Sequence, residues 1–402
     1  MDIVIFEDSK TCNLFPLAEM RTAFEIKAGA YSIREKTERL FGSEQIKYFT
    51  RDIIGEYAGE LYGEDKLFRE CNGNTLFLNG KVVFGKAASD KLPKEENILF
   101  KCNDEIIAFT SSDTKSASDI IAGKSYPDKM KVSEIKSDEW FHIINYSWDA
   151  VRYFEQDLSD DLDYMFGNTE ALLFSQDFDT DKVRLHMNAD ILPNVLLDSS
   201  HGKIFVDDGA KIEPFCYIRG PVYIGKNTLV KSGTKIYGPV NIGFESRVAG
   251  EISGTNLHSY VNKQHSGFIG NSYVCEFANL GADTVTSNLK NNYSQVRTRL
   301  PHSENMFDTG MQFLGSIIGD HSKTGINTML NTGSIIGVFS NIAGGGFPDK
   351  LTDSFQWCIS GKETVKYKLE EALNTAKMVM SRREVNMSDA YEQLVREIYK
   401  IK

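Results

Sequence analysis

The 402-residue sequence predicts an α/β domain with a mainly parallel sheet over residues 1–200, a parallel β-helix over 201–358, and short helices over 359–402. Three observations predict this. Short apolar runs alternate with helical patterns in the first part. Aliphatic residues recur every six positions in the second. A three-to-four-residue apolar period closes the chain. The length agrees, because one hydrophobic core rarely serves so many residues.

In the first part, Asp2–Phe6 reads as a buried strand and 74–78 as another, ending at Asn79-Gly80, with a helical pattern over 32–40 between them. Strands alternating with helices give parallel pairing. Such sheets bind ligands beyond the carboxyl ends of their strands. The loop after Phe6 and the turn at Asn79-Gly80 are therefore the candidate places. Neither GxxxxGK[ST] nor GxGxxG is present, so the phosphate-cradling loops those motifs encode are not expected.

The second part falls into hexads led by Val206, Ile212, Ile218, Ile224, Val230, Ile236, Ile242 and Val248. Four residues after each leader stands a small or β-branched residue: Ala210, Cys216, Val222, Thr228, Thr234, Val240, Ser246, Ile252. A second array is led by Ile318, Thr324, Leu330, Ile336 and Ile342, with Val274 and Leu280 between the two. A strand-plus-corner unit of six residues turns its leader inward, because strands alternate faces with period two. No single hexad buries its own apolar side, so the units must stack. At the end of the chain, Ser360-Gly-Lys-Glu363 reads as a capping box. Val365, Leu369, Ala372, Ala376, Val379 and Met380 follow at helical spacing, and a second helix is expected after Ser388.

The net charge of −11 excludes general nucleic-acid or anionic-membrane binding, which need a basic surface. No run of about 18 apolar residues predicts a membrane span. Glu7 and Asp8 follow the short apolar start, unlike a signal peptide. The six cysteines form no CxxC and no metal-ligand spacing, which fits reduced thiols in a cytoplasmic protein.

Leu14-Phe-Pro-Leu-Ala-Glu-Met-Arg21, Gly29, Ile33-Arg-Glu-Lys36 and Tyr146-Ser-Trp-Asp149 resemble a divergent family of sugar nucleotidyltransferase-like domains. The resemblance implies a nucleotide-sugar-recognising domain in which Arg21, Lys27 and Arg34 hold phosphates. Orthodox members carry a Gly-rich loop after the first strand and a metal-binding Asp after a later Gly. Here those glycines are missing and Lys81 follows Gly80. A metal needs oxygen ligands, so magnesium is called for only if this domain is active.

Between the two arrays lies a stretch dense in Asn, Gly and His, the kind of excursion from a rigid scaffold that carries function. His265 is followed by Phe268-Ile-Gly270, then Ala278-Asn-Leu-Gly-Ala-Asp-Thr284, then Asn288. Upstream stands Glu213-Pro-Phe-Cys-Tyr-Ile-Arg219. These resemble the C-terminal half of the bifunctional N-acetylglucosamine-1-phosphate uridylyltransferase/glucosamine-1-phosphate acetyltransferase family. The resemblance implies a left-handed β-helix, a homotrimer with sites between subunits, and acetyl-CoA or another acyl-CoA as donor. His265 is then the general base, since imidazole exchanges protons near neutral pH. Backbone N–H groups at Gly281 and Ala282 would meet the thioester oxygen. Asn279, Asn288 and Lys290 would contact the sugar and Arg219 its phosphate. A pantetheine arm would lie along Ala343 and Gly344. The expected activity is acyl transfer to an amino sugar, sugar phosphate or nucleotide sugar. Two alternatives remain: a sugar-1-phosphate nucleotidyltransferase trimerised by its β-helix, and a non-catalytic trimeric scaffold or sensor. Phe268 stands where the family has a sugar-contacting Tyr, Asp283 and Cys275 where it has Gly, and Glu251 near where it has a phosphate-binding Lys.

Overall fold

The computed structural model describes residues 1–137, 140–168, 179 and 181–402. The chain starts with the expected strand, Asp2–Phe6, second from one edge of a six-stranded sheet. It pairs in parallel with Ile46–Phe49 on one side and Thr75–Asn79 on the other. Glu105–Ser111 then runs antiparallel to Thr75–Asn79 and to Ile98–Cys102, and Lys131–Glu134 pairs in parallel with Ile98–Cys102. Three of the five pairings are thus parallel. Helix Ile33–Phe41 is stopped at its start by a full capping box, Ser32 with Glu35. This satisfies two N–H groups that the first turn leaves open.

Among the described residues the β-helix has nine coils, which stack as three faces. One face runs from Val183–Leu185 through Ile204–Val206 and Val222–Ile224 to Leu351–Thr352. The second runs from Asp190–Ile191 through Lys211–Ile212 to Gln356–Ile359. The third includes Leu196–Asp198, Tyr217–Arg219 and Phe268–Gly270. All eight leaders from Val206 to Val248 are 0% exposed. Each such side chain contributes roughly 1.5–3 kcal/mol, and their ladder is one continuous core.

Two expectations change. The first coil begins at Val183, upstream of residue 201, because Val183–Leu185 pairs with Ile204–Val206. Leu185, Ile191 and Leu197 keep the six-residue step, but the turn at residues 199–203 shifts its phase. Ser360 does not open a helix. Its N–H meets Ala343, and the chain turns back so that Val365–Lys366 pairs antiparallel with Gln356–Ile359. The helix starts at Leu369 and buries Ala372, Leu373, Ala376 and Met380. The last helix, Asp389–Ile401, is capped by Ser388.

The N-terminal domain lies against the first face of the β-helix. Ile317, Ile335, Tyr273 and Cys275 from the coils join the same core as Ile5, Leu78 and Trp148. Tyr273 Oη accepts from the Lys27 N–H at 2.9 Å, and Asn256 donates to the carbonyls of Lys27 and Gly29. The Tyr146–Asp149 motif is structural: Tyr146 and Trp148 stack, and Asp149 binds Arg152, which reaches the Thr309 carbonyl in the long excursion between coils six and seven.

Corners where the first face meets the second require a positive φ, which glycine and asparagine take most readily. In the lower coils they are Gly209, Asn227 and Glu245. In the upper coils they are Tyr260, Phe277, His321, Phe339 and Phe355, with φ of 55–62°. Their rings form a stacked ladder with centroids 4.6–5.1 Å apart. Helix Asp389–Ile401 covers it, with Tyr391 Oη 3.0 Å from His321 Nε2. Among the described residues no helix is long and apolar enough to cross a membrane.

Candidate functional site

His265 sits on an exposed turn of the fifth coil, between Asn262–Lys263 on the second face and Phe268–Gly270 on the third. The turn is held from two sides. Beneath it, Lys263 is 1% exposed and its ammonium donates to the carbonyls of Ala249 (3.1 Å), His265 (2.9 Å) and Ser266 (3.3 Å). An ammonium has three donors, and each finds a carbonyl. Burial pushes this lysine down to about 8. From the next coil, Asp283 accepts from the Ser266 hydroxyl and donates its N–H to the Ser266 carbonyl at 3.1 Å. Gly267 has φ 110°, and a Cβ there would lie 2.2 Å from the Thr284 carbonyl oxygen. Only glycine lets the turn pass so close.

Around this turn stand some of the expected residues. Asn279 accepts from Asn262 on the second face. Asn288 donates to Asn271 at 2.7 Å, and a Cβ at Gly270 would meet both Asn288 and the ring of Phe268. Others do not join them. Arg219 lies in the same column as Gly270 but three coils away, roughly 14 Å at the usual strand spacing. Its guanidinium covers Tyr237. Lys290 donates to the Gln295 carbonyl at 2.6 Å and ties the excursion to itself. The column that does lead to Phe268 runs through Lys235 and Glu251. Hexad spacing does not mark Lys235, because the corner from Val248 to Glu251 is shorter than the one from Val230 to Lys235.

The Gly281 N–H is taken: it donates to the Thr324 carbonyl and hydroxyl at 3.2 and 3.0 Å. It is therefore not free to meet a thioester oxygen, because the coil ladder claims it. Ala282 uses its carbonyl to accept from the Asn327 N–H. Gly281 has a different use. Next to Asn279, Lys323 and Asn341, which pair in register, runs a column of Gly281, Gly325 and Ala343. A Cβ at Gly281 would meet Gly325 at 2.6 Å, and one at Gly325 would meet the Ala343 Cβ at 3.1 Å. This bare strip starts beside His265 and ends at a cavity of about 470 Å³ bounded by Ala343, Gly344, Gly346, Phe347, Ser360 and Lys362.

Each of the three N-terminal cations already pairs with a carboxylate, and Arg21 keeps one donor, Nη1, without a hydrogen-bond partner among the described residues. Arg34 pairs with Glu25 at 2.5 Å and Glu38 at 2.8 Å, and Lys27 with Glu35 at 3.1 Å. Arg21, 8% exposed, pairs with Asp320 and with Glu276 at 3.5 Å, across the domain boundary. Arg21 takes its carboxylates from the β-helix, which local sequence could not reveal, whereas Glu38 lies one helical turn from Arg34 and Glu25 and Glu35 stand near their cations in the chain. Arg21 and Arg34 line a cavity of about 530 Å³ between the two domains and the last helix, with Tyr57, Tyr62, His258 and Tyr391. His258 Nδ1 lies 2.9 Å from Glu276. Burial outweighs that carboxylate and pushes His258 down to about 4. Burial raises Glu276, but His258 and Arg21 outweigh it and hold it near 2.

Among the described residues no three His, Cys, Asp or Glu side chains converge as metal ligands. Beyond the carboxyl ends of Asp2–Phe6 and Thr75–Asn79 the fold brings together Asp8, Lys81 and Glu105. Lys81 is 0% exposed, 2.9 Å from Asp8 and 3.0 Å from Glu105. A magnesium ion does not fit that position, because an ammonium fills it.

Residues 3–168 match the family model described as sugar nucleotidyl transferase. The chain is 30% identical over 159 residues to a bifunctional sugar-1-phosphate nucleotidylyltransferase/acetyltransferase of Sulfurisphaera tokodaii, covering 35% of this chain and 39% of that protein. It is 33% identical over 155 residues to an uncharacterized acetyltransferase, YaiX, of Escherichia coli, covering 37% of this chain and 65% of that one. The chain thus spans less than two thirds of these relatives. Among solved structures, a putative acetyltransferase of Bacillus cereus aligns over 54% of this chain and 99% of its own at 13% identity, with a TM-score of 0.28.

Proposed function

We propose that this protein is an acyl-CoA-dependent acyltransferase, with acetyl as the acyl group, acting on an amino sugar, sugar phosphate or nucleotide sugar. The observation that carries the reading is the placement of His265: exposed on a turn fixed by Lys263 and Asp283, at the head of a bare strip leading to an open cavity. The relatives named as acetyltransferases support it.

In this reading His265 takes the proton from the attacking amine or hydroxyl as the new bond to the acyl carbon forms and the carbon–sulfur bond breaks. The coenzyme thiolate then leaves and is protonated. The bare strip admits a thin pantetheine arm against backbone, and the cavity at its end receives the bulkier part of the coenzyme. Asn279 and Asn288 orient the acceptor. The homotrimer belongs to the same proposal, as does a cytoplasmic location. The nucleotidyltransferase alternative loses ground at Lys81, and phosphate recognition by Arg21, Lys27 and Arg34 loses it to their carboxylate partners.

The test is an acceptor screen with acetyl-CoA, following release of free thiol. A sugar or nucleotide-sugar amine that accelerates release supports the reading. Acetyl-CoA that neither raises the Tm nor loses thiol with any acceptor overturns it, since a ligand binding only the folded state must stabilise it.

A further inference from the structure

At the carboxyl end of the N-terminal sheet three chain segments are forced together. Asp8 follows Asp2–Phe6, Lys81 follows Thr75–Asn79, and Glu105 opens a strand running the opposite way, so all three reach the same edge. Such an edge is where sheets of this kind place their ligands.

The cluster is closed. Lys81 Nζ donates to Glu105 Oε2 and lies 2.9 Å from Asp8 Oδ2. Asp8 Oδ2 also accepts from Asn79 Nδ2 at 3.0 Å, and Asp8 Oδ1 from the Lys10 N–H at 2.9 Å. Glu105 Oε1 takes Lys10 Nζ at 2.5 Å. Asn79 Oδ1 accepts the Lys81 N–H at 3.0 Å, which fixes the start of the lysine side chain. All four carboxylate oxygens therefore face an N–H donor. Two ammonium groups and two carboxylates sum to zero.

We propose that the Lys81 ammonium is a built-in replacement for a divalent cation, so that the N-terminal domain holds no catalytic metal at this sheet edge. A divalent ion needs several oxygen ligands at 2.0–2.6 Å. Here the two carboxylates are already neutralised, and an arriving ion would meet a buried positive charge. Without Lys81, Asp8 and Glu105 would keep Asn79 and Lys10 as partners but lose the buried cation between them and repel each other. The geometry excludes the metal through a residue that is present.

The test compares manganese binding to the full-length protein and its variants, by electron paramagnetic resonance and by Tm. The wild-type protein is expected to show no manganese uptake that Asp8→Asn or Glu105→Gln removes. Lys81→Ala is expected to lower the Tm, with manganese restoring several degrees of it. The double variant Lys81→Ala, Asp8→Asn should show no such rescue. Wild-type uptake abolished by Asp8→Asn overturns the proposal. So does a folded Lys81→Ala protein that ignores manganese. Should Lys81→Ala not fold, Lys81→Met replaces it, and the wild-type comparison with Asp8→Asn and Glu105→Gln decides alone.

Discussion

Lys263 is the residue on which the His265 turn rests. Its ammonium joins the carbonyls of Ala249, His265 and Ser266. Lys263→Met keeps the stem and removes the donors, so it should cost about 1–3 kcal/mol in urea unfolding and lower acyltransfer further than that loss of stability accounts for. A variant of unchanged stability would mean the turn is held by something else. His258 and His321 are buried and neutral, held down to about 4 and about 3 by burial. A histidine ordinarily titrating near 6.5 takes its proton only in the unfolded chain here. Stability is thus complete above about pH 6.5 and falls as the pH drops toward 4. The slope is at most about 1.4 kcal/mol per pH unit for each histidine. Urea titrations at several pH values check this, and His258→Gln should reduce the slope.

The β-helix shows how an element can be legible while its attachments are not. Ile212, Ile218 and Ile224 announce their burial by spacing alone, because each coil repeats the same local solution. The first coil escaped because residues 199–203 lengthen one corner. The false capping box at Ser360 shows a local signal losing to pairing with the preceding strand. The aromatic corners carry no such signal, since Phe339 at φ 55° is costly by itself. It is tolerated because Phe355 and His321 stack on either side. Phe339→Ala keeps the strained φ and loses the stacking, so about 3–5 kcal/mol of stability should disappear. A loss under 1 kcal/mol would mean the ladder is decoration.

At the scale of the molecule, the two domains are joined by contacts far apart in sequence. Arg21 and Asp320 are 299 residues apart, and nothing local to either marks the pair. Arg21 thus looked like a phosphate contact when read beside its neighbours alone. The positions of His265 and Asn279 on their coils were legible because motif and coil are both local, while their roles belong to the proposed function. The Gly281 and Arg219 roles were not, since they depend on the hydrogen-bond ladder and on register. Arg21→Met leaves Asp320 buried without its cation and Glu276 beside it half-buried, and should cost about 3–5 kcal/mol, visible as earlier unfolding in urea. A loss within error would show that the interface is held by its apolar core.

The most direct measurement is the single-turnover rate of acyl transfer from acetyl-CoA for the wild type and His265→Ala, with the best acceptor from the screen. His265 is exposed and its ring makes no hydrogen bond among the described residues, so the Tm should not change. The account predicts a loss of about 10²–10⁴-fold in rate with coenzyme binding retained. A His265→Ala protein transferring acyl groups at the wild-type rate would contradict it.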